Sequence, residues 1–372
     1  MRNKDLSSIS VARQRTFFPE SVSSRLVILL VIFVVMLSGC EAEKEPVVVF
    51  EEQMLVMGTI VNVTIAGEEQ KTSDKAFHDL LTDFKYMQAA WNPWKKGSLA
   101  RINKLLPMKA AFSIGPALKD MINKSVILEE KSQGLFNPAI GKLVKLWQFN
   151  HDEMPKGPPP SDELIRQILS SNPKMTDLKL EGLNLKSDNP DVILDFGGFA
   201  KGYGVDKAVD HLKEIGIENA IVNAGGDLRA IGSKGGKPWV IGIRNPRTES
   251  IIASLSINGD ESVFTSGDYE RFYDYQGKRY HHILDPRTGY PADQTSSVTV
   301  VFNDAATADA AATALFVAGP DKWEEVAKSM GVTQVMLIDK SGQIFISPAL
   351  KSRIKFVDEA ALKITVSTKF NL

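Results

Sequence analysis

The chain has 372 residues, and its 44 lysine and arginine side chains nearly balance its 45 aspartate and glutamate side chains, giving a formal net charge of −1. Hydrophobic residues make up 43% and charged residues 24%, which is typical of a globular protein and excludes a disordered or collagen-like chain. The balanced charge gives no support to a nucleic-acid partner. Cys40 is the only cysteine, which excludes an internal disulfide, a cysteine-based zinc site and a CxxC redox centre.

The N-terminal segment has the pattern of an export signal. Five basic residues within residues 1–25 precede an apolar run of twelve residues, Leu26 to Leu37. A helix of that length covers about 18 Å, which is less than the ~30 Å hydrocarbon core of a bilayer. The sequence Leu37-Ser38-Gly39-Cys40 resembles the lipobox of bacterial lipoproteins, which implies cleavage before Cys40 and lipid attachment to it. The alternative is a signal anchor followed by a chance cysteine.

Cleavage at that position leaves 333 residues with a net charge of −4, enough for a large hydrophobic core. The next six residues, Glu41 to Pro46, are mostly charged and end in proline, as is typical of a tether. We therefore predict a signal peptide over residues 1–39, a lipidated tether over 40–47 and one domain over 48–372.

The domain mixes strand and helix patterns without the regular alternation of a doubly wound sheet, which predicts an α+β fold. In chain order we first expect β-strands within residues 47–67 and an amphipathic helix over Ser73–Ala90, which Trp91-Asn92-Pro93-Trp94 ends. A second helix follows over Ile114–Glu130, with Pro116 in its first turn. A proline-rich loop over Met154–Pro160 then leads to a helix that begins at the capping residue Ser161.

The second half contains a glycine-rich segment, residues 195–204, between a predicted strand, Val192–Leu194, and a predicted helix, Val205–Ile215. Glycines at the N-terminus of a helix allow backbone N–H groups to approach a phosphate, and Lys201 could add a positive charge. The spacing matches neither the dinucleotide fingerprint nor a Walker loop, so a tight turn without a ligand is the alternative. A second glycine turn, Asn223 to Asp227, ends the next apolar strand.

Two adjacent histidines, His281 and His282, precede a turn that contains Asp285, Pro286 and Gly289. Neighbouring side chains of an extended segment point to opposite faces, so only one of the two can serve a given site. Each could equally be a surface histidine or a core histidine with satisfied hydrogen bonds.

The alanine-rich segment Ala305–Ala318 predicts a helix. Asp309 and Thr313 are four residues apart, so they lie one turn apart on one face of that helix. A carboxylate and a hydroxyl presented together suit a hard cation such as Mg²⁺. The alternatives are that Thr313 bonds back to the carbonyl of Asp309 and that Asp309 caps a loop.

Together these segments resemble the ApbE family of FAD:protein FMN transferases. Nine motifs in order carry the resemblance: Met57-Gly58-Thr59, GSLARIN (97–103), GLFNPAIGKLVKLW (134–147), LDFGGFAKGYGVD (194–206), NAGGDLRAIG (223–232), WVIGIRNPR (239–247), FTSGDYERFY (264–273), HILDPRTG (282–289) and ADAAATALFVAG (308–319).

The resemblance implies a single large α+β catalytic domain with mixed and antiparallel sheets. It also implies Mg²⁺-dependent transfer of FMN from FAD to a threonine hydroxyl of a partner protein, with release of AMP. By similarity Asp309, Thr313 and the backbone carbonyl of Ala200 hold the metal, and His282 is the base. The expected FAD contacts are Met57, Gly198, Lys201, Tyr203, Asp227 and Thr265.

The resemblance further implies acceptor subunits in membrane electron-transfer complexes of the Nqr or Rnf kind, on the extracytoplasmic side of a membrane. The lack of aspartate after Cys40 favours the outer over the inner membrane. Two other functions stay open, namely hydrolysis of FAD to FMN and AMP at the same site, and non-enzymatic FAD binding or storage. Asp285 and Arg287 could equally form a structural turn with an internal ion pair.

Overall fold

The computed structural model describes residues 46–151, 153–257 and 259–370. Residues from Val47 onward form one compact unit. The predicted signal peptide, Cys40 and most of the predicted tether lie outside the described residues. Within the described part of the chain, no helix is both long enough and apolar enough to cross a bilayer.

The largest sheet in the described part has nine strands in the order β1-β2-β6-β7-β10-β13-β14-β15-β17. Neighbouring strands are antiparallel except for the parallel pair of β15 and β17. Its strands are β1 (Val49–Val56), β2 (Thr59–Ala66), β6 (Ala220–Ala224), β7 (Asp227–Ile231), β10 (Glu261–Gly267), β13 (Thr295–Phe302), β14 (Gln334–Asp339), β15 (Ile344–Ile346) and β17 (Ile364–Val366).

Three smaller sheets accompany it. They are formed by β3 (Phe112–Ser113), β5 (Asn184–Ser187) and β4 (Leu178–Glu181), by β16 (Ile354–Phe356), β9 (Ile251–Ile257) and β8 (Trp239–Arg244), and by the hairpin of β11 (Phe272–Tyr275) with β12 (Lys278–His281). Gln276 and Gly277 connect the hairpin strands and both have positive φ, which a two-residue hairpin turn of type I′ requires.

Most helices of the described residues lie in the first half of the chain, and the second half contains two long ones, α6 and α7. They are α1 (Gln70–Trp91), α2 (Ser98–Leu105), α3 (Pro116–Lys131), α4 (Gly141–Leu146), α5 (Asp162–Ser170), α6 (Ala200–Glu214), α7 (Ala305–Met330) and α8 (Pro348–Lys351), with short 3₁₀ helices at Leu106–Met108, Met175–Asp177 and Glu359–Ala361.

The nine-stranded sheet is buried on both faces. Along β14, Val335 and Leu337 belong to the main core with the helices, whereas Met336 and Ile338 belong to a second core with the sheet of β8 and β9. Alternate side chains of a strand point to opposite faces, so the continuous apolar run of this strand follows from its burial on both sides. A third, aromatic core surrounds Trp147.

Most of the expected elements are confirmed. Helix α1 covers the expected segment and ends at Trp91, Pro116 is the first residue of α3, and the Ser161 hydroxyl accepts a hydrogen bond from Leu164 N at 3.5 Å. The mixture of helices and largely antiparallel sheets confirms the α+β class.

Two expectations about the glycine-rich region were wrong. Residues 192–194 form only an isolated bridge between Ile193 and Ile140, because the side chain of Asn103 bonds both N and O of Leu194 and takes the place of a strand partner. Helix α6 begins at Ala200, five residues before the predicted start, so Gly202 and Gly204 are helical.

The alanine-rich helix is confirmed. Helix α7 continues to Met330, but it contains a break at Gly319, where φ is 69° and ψ is 178°. Pro320 follows this break, and proline has no N–H to continue the helical hydrogen bonds. The first part of α7, residues 305–318, is the predicted helix.

Candidate active site

Helices α6 and α7 cap each other. The carboxylate of Asp206 on α6 accepts hydrogen bonds from the N–H groups of Ala305 (2.8 Å) and Ala306 (2.9 Å) at the start of α7. In return, Asp309 Oδ2 on α7 accepts from Gly202 N at 2.9 Å, in the first turn of α6. A carboxylate at a helix N-terminus satisfies free N–H groups and interacts favourably with the helix dipole. This reciprocal capping fixes Asp309 against the start of α6.

The helices can approach so closely because residue 202 is glycine. A Cβ at this position would lie 2.2 Å from the carbonyl oxygen of Ala305 and 2.8 Å from Asp309 Cβ. The glycine at 202 therefore serves helix packing, whereas Gly197 and Gly198 precede the helix, and the N–H of Gly197 donates to Asp195 Oδ1 at 2.8 Å.

The metal candidates lie together at this junction. A Cβ at Gly198 would be 3.0 Å from Thr313 Oγ1, so the loop before α6 passes directly over the hydroxyl. Thr313 Oγ1 also lies 3.4 Å from Ser266 Oγ on β10, rather than bonding back to the carbonyl of Asp309. Ala200, the third candidate, is the first residue of α6.

This donor set fits Mg²⁺, because it offers a carboxylate, a hydroxyl and a backbone carbonyl, all of them hard oxygen ligands. Asp309 Oδ1 takes no hydrogen bond from the described residues, while Oδ2 is occupied by Gly202. No group of three or more histidine, cysteine, aspartate or glutamate side chains suited to a metal occurs in the described part of the chain. A Mg²⁺ ion held here would therefore complete its shell with water or with phosphate oxygens.

An ion pair between a half-buried lysine and a buried aspartate lies beside the metal candidates. Lys201 Nζ pairs with Asp227 Oδ2, and Asp227 Oδ1 accepts from Thr265 N at 2.8 Å. Thr265 Oγ1 in turn lies 2.9 Å from Thr299 Oγ1. Both carboxylate oxygens of Asp227 are thus engaged by protein groups, so this residue orients Lys201 and joins α6 to β10.

The charges of this site act on one another. Burial raises the pKa of Asp309, and the positive charge of Lys201 opposes that rise. Burial disfavours the charge of Lys201, but Asp227 and Asp309 outweigh this and raise its pKa. The site thus keeps a cationic side chain next to a carboxylate with one open oxygen, an arrangement that suits a phosphate compound and its metal ion.

The two histidines have different environments, as expected from the alternation. His281 is 2% exposed. Its Nε2 lies 2.7 Å from the carbonyl oxygen of Ala292, and its Nδ1 accepts from Ile283 N at 3.3 Å. Both ring nitrogens therefore have partners, as in a structural core histidine.

His282 is partly exposed, and its ring is fixed from one side. The carbonyl oxygen of Arg271 accepts from His282 N at 3.0 Å and lies 3.3 Å from His282 Nδ1. Because a carbonyl can only accept, Nδ1 carries the proton in this arrangement and Nε2 keeps a free lone pair. Burial lowers the pKa of His282 to about 3, with contributions from His281 and Arg271, so the ring is neutral at physiological pH.

The other expected flavin contacts are spread around α6. Met57 has a φ of 53° in the turn between β1 and β2, and a Cβ at Gly204 would lie 3.3 Å from its sulfur atom. Tyr203 is 7% exposed and packs edge-on against Trp91, with ring centroids 5.5 Å apart. The positive charge of Lys201 contributes to the lowered pKa of His282.

Sequence reasoning missed several residues of this site. Asp206 is buried against Arg229, whose Nη1 donates to Asp206 Oδ1 at 2.6 Å, and Ser266 lies beside Thr313. Both residues lie in motifs that carry the family resemblance. Asp206 ends the motif of residues 194–206, and Ser266 directly follows Thr265 in the motif of residues 264–273. The periodicity of α6 places Asp206 one turn from Gly202, which would have been the signal.

The turn after His282 is held by an internal ion pair between Asp285 and Arg287, as in the structural alternative. Arg287 Nε and Nη2 donate to Asp285 in a bidentate ion pair, at 2.9 and 2.7 Å to its two oxygens. A cavity of about 740 Å³ lies beside this turn and is lined by His281, Phe316 and Lys340 among others, but not by His282, Asp309 or Lys201. The cavity thus lies on the side of the segment to which His281 points.

Comparisons with known proteins agree with this fold. The model of the ApbE family matches residues 57–337. A curated FAD:protein FMN transferase of Rhodobacter capsulatus is 36% identical over 87% of this chain, and the chain spans 62% of the length of that relative. Another, from Haemophilus influenzae, is 30% identical over 84% of this chain and 92% of its own length.

Solved structures give the same result. The ApbE protein of Thermotoga maritima has a TM-score of 0.75 and 33% identity, over 82% of this chain and 99% of that chain. The flavin transferase ApbE of Vibrio cholerae has a TM-score of 0.72 and 28% identity, over 83% of this chain and 100% of that chain. The chain belongs to the ApbE family.

Proposed function

We propose that this protein is an FAD:protein FMN transferase that uses Mg²⁺, modifies a threonine hydroxyl of an acceptor protein and releases AMP. The observation that carries the proposal is the junction of α6 and α7, where Asp309 and Thr313 face the glycine loop beside the half-buried cation Lys201. The names of the curated relatives support the same activity.

The proposed reaction is a phosphoryl-type transfer. The acceptor oxygen forms a bond to the phosphorus of the FMN half, and the bond from that phosphorus to the bridging oxygen breaks, so AMP leaves with the electron pair. Mg²⁺ held by Asp309, Thr313 and the Ala200 carbonyl would neutralise charge on the phosphate oxygens.

The chain's own residues position the substrates and move the proton. The backbone of Gly198, in the loop before α6, and the side chain of Lys201 bind the diphosphate, since both lie at the positive end of the helix. His282 Nε2 accepts the proton of the acceptor hydroxyl, while Nδ1–H stays bonded to the carbonyl of Arg271. Tyr203, in its aromatic cluster with Trp91, provides an apolar wall for the flavin.

The direct test combines the purified full-length protein with FAD, Mg²⁺ and an acceptor domain that contains a target threonine. We expect FMN bound covalently to the acceptor, seen as fluorescence on a denaturing gel and by mass spectrometry, with an equal amount of AMP. An acceptor with threonine replaced by valine is the matched control and should stay unlabelled.

Two other outcomes would overturn the transferase proposal. Free FMN and AMP without labelled acceptor would indicate an FAD hydrolase, for which water reaches the partly exposed His282. Tight FAD binding without turnover, with acceptors of the Nqr and Rnf kind supplied, would indicate a binding or storage protein.

The proposed location is the extracytoplasmic side of a membrane, with a lipid anchor on Cys40. The pattern of a basic segment, a short apolar run and Leu37-Ser38-Gly39-Cys40 supports it. Metabolic labelling with palmitate should mark the wild-type protein and not Cys40→Ser. Equal labelling of both proteins would contradict the anchor, and separation of the membranes would decide between the inner membrane and the favoured outer one.

A further inference from the structure

The segment Asp268–Arg271 connects β10 to β11 and supplies the carbonyl group that fixes the ring of His282. Arg271 directly precedes β11, and in that hairpin Phe272 faces His281, so Arg271 faces His282 as the next pair. Its carbonyl oxygen accepts from the backbone N–H of His282 and, at 3.3 Å, from Nδ1. The position of this one carbonyl therefore determines which ring nitrogen carries the proton.

The other end of the segment is held by a buried carboxylate. Asp268 is 1% exposed, and its Oδ1 and Oδ2 accept from Arg247 Nη1 (2.7 Å) and Nη2 (2.9 Å). Lys340 Nζ adds a third bond to Oδ2 at 2.5 Å. The backbone N–H of Asp268 also donates to the carbonyl of Ser296 at 3.1 Å.

These contacts tie three separate parts of the fold to one side chain. Arg247 lies between β8 and β9, Lys340 follows β14, and Ser296 lies at the start of β13. Two cations hold the pKa of Asp268 below its ordinary range despite its burial, so the carboxylate is charged. A charged carboxylate with three charge-assisted bonds is a stiff anchor, since such bonds are shorter and stronger than neutral ones.

A second anchor acts on Arg271 itself. Its Nη2 donates to the carbonyl oxygen of His151 at 2.5 Å. The segment is thus held at both ends, by Asp268 at its start and by the Arg271 guanidinium at its end.

We infer that Asp268, held by Arg247 and Lys340, is a positioning residue for the transfer reaction, because it fixes the Arg271 carbonyl that keeps Nδ1 of His282 protonated and Nε2 free as the base. Asp268 touches neither FAD nor the acceptor in this role. The inference rests on the proposed function of His282.

The test is a double-mutant cycle in the full-length protein. Asp268→Asn keeps the shape of the side chain but removes the charge that both cations bind. We expect the kcat for FMN transfer to fall roughly tenfold with the KM for FAD within about twofold, since misplacement of a catalytic group costs rate more than ground-state binding. In the His282→Ala background the same substitution should cause no further loss of kcat.

A structural role would give a different pattern. If Asp268→Asn lowers kcat by the same factor with and without His282, or leaves it unchanged in the wild-type background, the inference is overturned. Nitrogen-15 spectra of histidine-labelled protein provide a readout besides rate. The His282 signals, assigned by their absence in His282→Ala, should show protonated Nδ1 in the wild type and a mixture of tautomers in Asp268→Asn, whereas an unchanged tautomer contradicts the inference.

Lys340→Gln is the second variant, in case Asp268→Asn does not fold. It removes one of the two cations, and we expect a smaller loss of kcat, again absent in the His282→Ala background. Lys355→Gln, on the exposed face of β16, is its matched control and should leave kcat unchanged. If Lys340→Gln behaves like Lys355→Gln while Asp268→Asn is unfolded, the inference is overturned.

The cycle also separates this inference from the function on which it rests. A large loss in His282→Ala together with no loss in Asp268→Asn overturns the positioning role alone. An unchanged rate in His282→Ala overturns the base assignment, and the positioning role with it.

Discussion

Asp309 Oδ2 accepts the backbone N–H of Gly202 at 2.9 Å, across 107 residues of sequence. Oδ2 of this carboxylate therefore holds the start of α6, and Oδ1 is left for a ligand. Asp309 thus caps the start of a helix rather than a loop, and this capping is compatible with the proposal that Asp309 binds a metal, because the two use different oxygens of the same group.

Asp309→Asn separates these two uses. The amide oxygen can still accept from Gly202, but the negative charge for Mg²⁺ is lost, so we expect transfer to fall at least about 100-fold with little change in the urea midpoint. Calorimetric titration with Mg²⁺ alone should show weaker binding. Asp321→Asn, an exposed carboxylate on the same helix, is the control. Undiminished transfer in Asp309→Asn would remove the metal assignment.

The two histidines should respond in opposite ways. His282→Ala should lower transfer about 100-fold while FAD binding and stability stay near those of the wild type, since the side chain is partly exposed and acts as a base. His281→Ala should cost about 2 kcal/mol of unfolding free energy, because buried hydrogen-bonding groups lose their partners. Transfer rates and urea unfolding of both variants measure this, and a greater rate loss in folded His281→Ala would reverse the assignment.

Two helical glycines provide a matched test of the α6–α7 packing. Gly202→Ala would place Cβ 2.2 Å from the carbonyl oxygen of Ala305, and we expect it to cost about 2–3 kcal/mol. At Gly204 the nearest atom would be the flexible Met57 sulfur at 3.3 Å, and alanine also favours the helix, so Gly204→Ala should stay within about 1 kcal/mol of the wild type. Equal urea midpoints for the two variants would contradict this account.

Glu129 on α3 should make stability depend on pH. Both of its carboxylate oxygens lie 3.0 Å from Met175 N, and burial raises its pKa from 4.5 to about 7. Between these values the folded state binds more protons than the unfolded state. The contribution of this group is therefore fully present below about pH 4.5 and is lost as the pH rises through 7.

Glu129→Gln should remove that dependence. We expect the variant to lose less unfolding free energy than the wild type between pH 5 and 8, by on the order of 2–3 kcal/mol. Urea unfolding at a series of pH values measures the difference. Glu130→Gln, the exposed neighbour on the same helix, should follow the wild-type curve. Parallel curves for Glu129→Gln and wild type would show that Glu129 does not titrate in this range.

Sequence patterns predicted the relative positions of residues that are close together in the chain. The spacing of Asp309 and Thr313 predicted their shared helix face, and the alternation of His281 and His282 predicted their opposite environments. Both relationships involve residues within one turn or one strand, where the periodicity of the backbone alone fixes direction. The chemical roles of these residues stay predictions.

Relationships across the fold could not be predicted in this way. The start of α6 was placed too late because Asp309, far along the chain, supplies its cap. The prediction of a strand at residues 192–194 was wrong because the side chain of Asn103, from α2, forms the hydrogen bonds of Leu194 N and O that a neighbouring strand would otherwise form. Asp227 was assigned to the flavin, but its bonds to Lys201 and Thr265 depend on the position of β7 beside β10, which sequence pattern does not reveal.

The reciprocal capping of α6 and α7 has a consequence for the order of events during synthesis. Gly202 and Asp309 are 107 residues apart, so the start of α6 lacks its bond to this carboxylate until the chain has been made beyond residue 309, whereas α7 also has the local N-cap Asp304. Contacts of such long range form late, because closing a long loop must precede any gain from them. The N-terminal end of α6, where we propose that the diphosphate binds, is thus completed only after nearly the whole domain has emerged, and a chain truncated before Ala305 should be unable to retain FAD.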